Sequence, residues 1–205
     1  MFRPPGWIRT PWHVTLSESS RTTAMTKQRA IKERIDDIDE LVDQWWEQWR
    51  GNASLNRLFY AASNLGDFSL IWHIVGGLRG LKPGTRARSA TYFSSLMAAE
   101  SLLVNQGIKR LFRRKRPGLA SDNPTEHQLR EPLTSSFPSG HASAAFCASV
   151  LLSKRSKLGG AWHVIATVVA LSRVHVKLHH ASDVVAGACV GAVLGKIGEK
   201  ILPAE

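Results

Sequence analysis

Val184 to Leu202 is an apolar run broken by glycines at 187, 191, 195 and 198. Spacings of four, four and three put these glycines on related faces of one helix. A helix bare along one side can meet a neighbour backbone to backbone. Four further apolar runs precede it, at 68–81, 89–108, 142–152 and 161–174. The run at 89–108 is about the length of a membrane span and holds one acid, Glu100. Others are shorter than the ~20 residues of an ideal span. The run at 142–152 is rich in small residues, and mean hydropathy over the whole chain is only −0.13. Basic and polar connections between the runs dilute that mean. The pattern predicts an all-α helical bundle.

At 205 residues the chain is long enough for one domain with a substantial core. Its net charge of +11 and pI near 10.3 point to a phosphate-bearing partner: a membrane surface, a nucleic acid or a substrate. Cys147 and Cys189 sit in apolar runs and form neither a disulfide framework nor a metal spacing.

Residues 1–26, with Pro4, Pro5, Pro11 and the tract TLSESSRTT, read as a flexible N-terminal segment. Residues 27–52 read as an amphipathic helix. Within it Ile31, Ile35, Ile38, Leu41, Val42, Trp45 and Trp49 recur at three-and-four spacing. That stripe suits either packing on the domain or lying in a membrane interface, where tryptophan is favoured. Gly51-Asn52 ends the helix, and a short helix follows at about 53–65. Residues 53–205 then form the remaining, helical domain.

Three short stretches carry chemistry. In Leu171–Asp183, LSRVHVKLHHASD, His179 and Asp183 are four apart. On a helix the carboxylate would hold Nδ1–H and leave Nε2 free as nucleophile or base. Arg173 adds a planar fork matched to phosphate oxygens. Phe137-Pro138-Ser139-Gly140-His141 opens an apolar run, where Ser139 and Gly140 can offer backbone N–H groups to an anion beside His141. In Lys109–Pro117, KRLFRRKRP, Lys109 and Arg116 are seven apart, two turns along one helical face, with Pro117 as the stop. The polar loop 118–137 joins two of these stretches over the mouth of a common site. Its His127 and Arg130 read as solvated.

Lys-x6-Arg-Pro, then Pro-Ser-Gly-His, then Ser-Arg-x5-His-x3-Asp closely resembles the phosphatidic acid phosphatase type 2 (lipid phosphate phosphatase) superfamily, over about the last two-thirds of the chain. The resemblance implies a multi-pass bundle embedded in a bacterial cell membrane, with the membrane and a lipid phosphate as partners. It implies no metal or other cofactor and no nucleic acid, and leaves the oligomeric state open. It assigns Lys109, Arg116 and Arg173 to the phosphate, helped by Ser139 and the Gly140 backbone. His179 would attack phosphorus, Asp183 would orient it, and His141 would protonate the leaving oxygen. If 89–108, 142–152, 161–174 and 184–202 each cross, all three motifs meet at one membrane surface.

Two other readings stay open. The basic run 109–116 suits a non-catalytic module for anionic lipid or nucleic acid, with its cations interchangeable. His175, His179, His180 and Asp183 together suggest a metal-dependent hydrolase.

Overall fold

The computed structural model describes residues 18–81, 87–117, 134–154 and 156–201. Among them the chain is all helix and connection, with seven α-helices. These are α1 (Glu18–Arg50), α2 (Ala53–Leu65), α3 (Leu70–Gly80), α4 (Ala87–Leu102), α5 (Gly140–Ser153), α6 (Gly159–His175) and α7 (Ala181–Ile201). A single 3-10 turn, Asp67–Ser69, leads into α3. Beyond α4 the chain loosens into a π-turn, Leu103–Gly107, then tightens into a 3-10 turn, Ile108–Leu111. The chain divides into two compact units, Met1–Ile38 and Asp39–Glu205. The first holds the N-terminal part of α1, and everything else described below lies in the second.

The expected runs became helices with small shifts at their ends. The short helix at 53–65 is α2, capped by the Asn52 side chain, which accepts from the amides of Ser54 and Leu55. In contrast, α1 begins at Glu18, nine residues before position 27. Residues 1–17, and most of the loop that holds His127 and Arg130, lie outside the described residues.

The core is built around α5. Ala142, Ala144, Ala145, Cys147, Ala148, Leu151 and Leu152 are all buried. Phe93 and Met97 of α4, Trp72 of α3, and Ala166 and Val169 of α6 pack around them. The fourth side is α7, and there the glycine face does its work. A Cβ at Gly187 would lie 2.3 Å from the Ser139 carbonyl oxygen, and one at Gly191 2.0 Å from that of Ser143. Only hydrogen fits between the two backbones. Small residues on both helices let them come this close, and the contact draws in Ser139, the first residue of the α5 cap.

Polarity in this bundle is arranged against the usual soluble pattern. Large apolar side chains face outward: Leu70, Ile74 and Leu78 on α3, Val164 and Ile165 on α6, Val185, Val193, Ile197 and Ile201 on α7. Meanwhile Ser143, Ser149 and Glu100 are buried. Glu100 accepts a hydrogen bond from Ser143 inside the α4–α5 contact. Among the described residues one helix, Ala181–Ile201, is long and apolar enough to cross a membrane, and Gly140–Ser153 is apolar but shorter.

Within the second unit, the apolar stripe of α1 stays exposed. Leu41, Trp45 and Trp49 are exposed, as are Ile31, Ile35 and Ile38 in the first unit. The packed side of α1 is instead polar and aromatic. Trp46 Nε1 donates to His175 Nδ1 at 3.0 Å, and Arg50 donates to the carbonyls of Val174 and His175, each at 3.0 Å. Arg50 thereby caps the His175 carbonyl at the end of α6 and adds a second donor to the Val174 carbonyl, which also accepts the Lys177 amide.

Candidate active site

Four helix ends meet at one end of the bundle: the turns after α4, the start of α5, the end of α6 and the start of α7. They carry Lys109, Ser139-Gly140-His141, Arg173 and Asp183, with His179 in the short connection between α6 and α7. All three motifs thus share one end of the bundle.

His179 and Asp183 do not lie on one helix. His179 sits in the connection 176–180, and Asp183 is in the first turn of α7. The helical spacing is reproduced by a turn, with the His179 amide hydrogen-bonded to the Arg173 carbonyl at 3.1 Å. Asp183 Oδ2 lies 3.7 Å from His179 Nδ1, a close electrostatic contact rather than a hydrogen bond. The same oxygen accepts the His180 amide at 2.9 Å. On the other ring edge, Arg116 Nη1 is 3.2 Å from His179 Nε2. A guanidinium can only donate, so Nε2 carries the lone pair and the ring proton is on Nδ1, facing the carboxylate. Burial, reinforced by Arg173, Arg116 and Lys109 against the pull of Asp183, pushes the His179 pKa down to about 3. The imidazole is therefore neutral at physiological pH.

Lys109 and Arg116 do not share a helical face. Helical structure ends at Leu111, Phe112 is extended and residues 113–116 form no helix, so the break precedes Pro117 by several residues. Arg116 thus reaches the site from irregular chain and not from a helix. Its Nη1 also donates to the Leu178 carbonyl at 2.6 Å and Nη2 to that of Thr134 at 3.2 Å. Lys109 is buried, and its charge is felt by both His141 and His179. Arg173 is 3% exposed, donates from Nη1 to Ser63 of α2, and keeps a buried Nε without a hydrogen-bond partner. A buried cation with an unused donor is a poor arrangement unless an anion completes it.

Ser139 is fully buried and caps α5, its hydroxyl accepting the Ala142 amide at 3.4 Å. Its own N–H is committed to the Asp183 carbonyl at 2.9 Å, so it does not offer that group to an anion. It ties the second motif to the third. Gly140 lies against Asn105 of the π-turn, whose Oδ1 would be 2.7 Å from any Cβ at that position. His141 Nε2 is 2.9 Å from Asp67 Oδ1. That hydrogen bond, with the charge of Arg173, holds the Asp67 carboxyl below its usual range despite partial burial, while burial and Arg173 push the His141 pKa down to about 4 in the absence of an anion. Gly66 sits against the His141 ring, where a Cβ would lie 2.7 Å from its Cδ2.

His175 is not part of this group. Its Nδ1 accepts from Trp46, its Nε2 pairs with Asn56 at 2.8 Å, and its ring stacks on Phe59. The proposed His175–His179 metal spacing therefore does not converge. Among the described residues no three His, Cys, Asp or Glu side chains are placed to share a metal ion.

Sequence reasoning missed Asp39, Ser63, Asp67, Asn105 and the separate position of Arg114. Each lies beside a motif residue only through long-range folding, and no local spacing marks it. The cations of 109–116 are also unequal. Arg113 and Lys115 are exposed, whereas Arg114 pairs with Asp39 at 2.6 Å and with Asp183 at 2.7 Å.

The chain has counterparts. Residues 89–203 match the model of the PAP2 superfamily. A decaprenylphosphoryl-5-phosphoribose phosphatase, present in two Mycobacterium tuberculosis strains, is 31% identical over 143 residues, 68% of this chain and 76% of that protein. The crystal structure of a transmembrane PAP2-type phosphatidylglycerolphosphate phosphatase from Bacillus subtilis shares the fold. It superposes with a TM-score of 0.66 at 23% identity, covering 82% of this chain and 86% of that one. The matched window contains all three motifs at their expected spacing, and the chain belongs to the PAP2 superfamily.

Proposed function

We propose that the protein is a metal-independent lipid phosphate phosphatase, working through a phosphohistidine. The observation that carries this reading is the neutral, buried His179. Its Nε2 lone pair meets Arg116, while Arg173 and Lys109 stand close enough to act on its charge. Three cations around one unprotonated imidazole suit a phosphomonoester dianion, whose equatorial oxygens must be neutralised before a nucleophile can approach.

His179 Nε2 forms the P–N bond as the P–O ester bond breaks, and the departing alkoxide takes a proton from the His141 imidazolium. Asp67 and the incoming phosphate dianion favour that form against the burial that lowers its pKa to about 4. Asp67 holds Nε2 of that ring, so Nδ1 is the nitrogen that faces the leaving oxygen. In the second step water attacks phosphorus, gives its proton to His141, and the P–N bond breaks to release inorganic phosphate. Asp183 stabilises the imidazole as it gains positive charge. The open amides at the start of α5, Gly140 and His141, suit a phosphate oxygen.

The apolar exterior of α3, α6 and α7 supports an integral, multi-pass membrane setting, and the exposed Trp45 and Trp49 support an interfacial position for α1. The substrate is then a membrane lipid bearing a phosphomonoester or diphosphate: phosphatidic acid, phosphatidylglycerol phosphate or a polyprenyl (di)phosphate. Purified protein in detergent, assayed for phosphate release against this panel with and without EDTA, tests the reading. Turnover of at least one lipid, insensitive to EDTA and abolished in His179→Ala, is expected. Retained turnover in His179→Ala removes the mechanism.

A further inference from the structure

Asp183 has two carboxylate oxygens, and only one faces the nucleophile. Oδ2 serves the His180 amide and His179. Oδ1 is taken by Arg114 Nη1 at 2.7 Å. The other arm of that guanidinium, Nη2, reaches Asp39 of α1 at 2.6 Å. Asp39 is held in turn by the Ser182 amide at 2.8 Å and by the Ser182 hydroxyl at 2.5 Å. Arg114 Nη1 also donates to that hydroxyl at 2.6 Å. Asp39 and Asp183 are almost fully buried and Arg114 is 20% exposed. A cation bridging two buried carboxylates is fixed in direction by its planar fork, and each partner would be costly to leave alone.

We propose that Arg114, clamped by Asp39, is a positioning residue for catalysis: it fixes the rotation of the Asp183 carboxylate and through it the His179 ring. This rests on the phosphatase reading above. It gives α1, which lies outside the family match at 89–203, a part in the reaction. The two acids pull on the same cation, so their effects oppose each other. Without Arg114, Asp183 acts on His179 uncompensated and the ring becomes more basic. Without the Asp39 charge, Arg114 acts wholly on Asp183 and the ring becomes less basic. The other charges facing His179 are Arg116, Arg173 and Lys109, and neither change touches them.

The test uses the full chain in detergent micelles with short-chain phosphatidic acid. Arg114→Gln and Asp39→Asn, the latter nearly isosteric, are compared with wild type and His179→Ala. Expected are kcat losses of about 10²-fold in Arg114→Gln and about tenfold in Asp39→Asn, with KM changed less than threefold. The acid limb of kcat/KM should move up in Arg114→Gln and down in Asp39→Asn. The double variant should be little worse than Arg114→Gln alone, because both act through one carboxylate. Should Arg114→Gln fail to fold, Asp39→Asn carries the test. Wild-type kcat and an unmoved acid limb in folded Asp39→Asn, with His179→Ala inactive, would overturn this inference while leaving the phosphatase reading intact. Activity in His179→Ala would overturn both.

Discussion

Adding one methyl group at Gly187 should damage catalysis more than it damages the fold. The new Cβ would stand 2.3 Å from the Ser139 carbonyl oxygen and 3.2 Å from Ala142 Cβ. An ordinary carbon–oxygen contact needs about 1 Å more than that, judged from normal non-bonded separations of roughly 3.5 Å. The obstacle is backbone, so no side-chain rotation relieves it. The two helices must separate locally by about that distance, which overpacking data put at roughly 1–3 kcal/mol. The site, however, sits on the seam itself. Ser139 N–H is bonded to the Asp183 carbonyl at 2.9 Å, so separation carries His141 away from His179. Displacements of about 1 Å cost on the order of 10² in rate. Gly187→Ala should therefore lose about a hundredfold in kcat while still unfolding cooperatively in detergent. Gly198→Ala is the control. Its Cβ would meet only the tips of Leu96 and Leu151, both at 3.2 Å, which can shift, so kcat should stay within about twofold. Phosphate release from a short-chain lipid phosphate, followed beside thermal unfolding, reads both quantities. Wild-type turnover in folded Gly187→Ala would refute the idea that seam depth sets the catalytic distance.

Other outcomes follow from the same geometry. Asp67→Asn should lower kcat by about tenfold or more with little change in KM, since it weakens the hold on a proton-transfer residue and not on the phosphate; a KM effect alone would count against this. Within the basic run, Arg116→Gln should abolish turnover and Arg113→Gln should leave it near wild type, whereas equal effects would favour a simple basic patch. Ser63→Ala leaves an Arg173 donor unpaired and should lower thermal stability by about 1–3 kcal/mol, read by melting in detergent. Stability should also fall in acid. Below its ordinary pKa of 6.5, His179 takes up a proton in the unfolded chain, but the folded chain resists it until about pH 3. Full protonation of the unfolded chain costs the fold on the order of 5 kcal/mol across that window. His179→Asn should flatten the melting temperature between pH 6 and about 4, and an unchanged slope would contradict it.

Much of the bundle could be read from the chain, because apolar runs and glycine spacing are local signals. The α2 boundaries at 53 and 65 and the inward glycine face of α7 are examples. What could not be read depends on how elements meet. The spacing of His179 and Asp183 fits one helix, yet a turn serves the same geometry. The spacing of Lys109 and Arg116 fits one helical face in the same way, although the chain unwinds after Leu111. The face of α1 was ambiguous for a physical reason. A periodic apolar stripe marks a helix, but when the surroundings are apolar it need not mark the side that meets protein. Here that side is Asp39, Trp46 and Arg50. Asp67 and Ser63 were invisible because their partners, His141 and Arg173, are 74 and 110 residues away.

Those distant partners bear on how this enzyme can be cut or grafted. The ring at 141 and the guanidinium at 173 are both buttressed from the stretch 53–69, upstream of the family match at 89–203. A version trimmed to that window would keep every signature letter and still lose two of its struts. Transplanting the signatures onto another bundle would likewise require a serine and a carboxylate delivered from outside them.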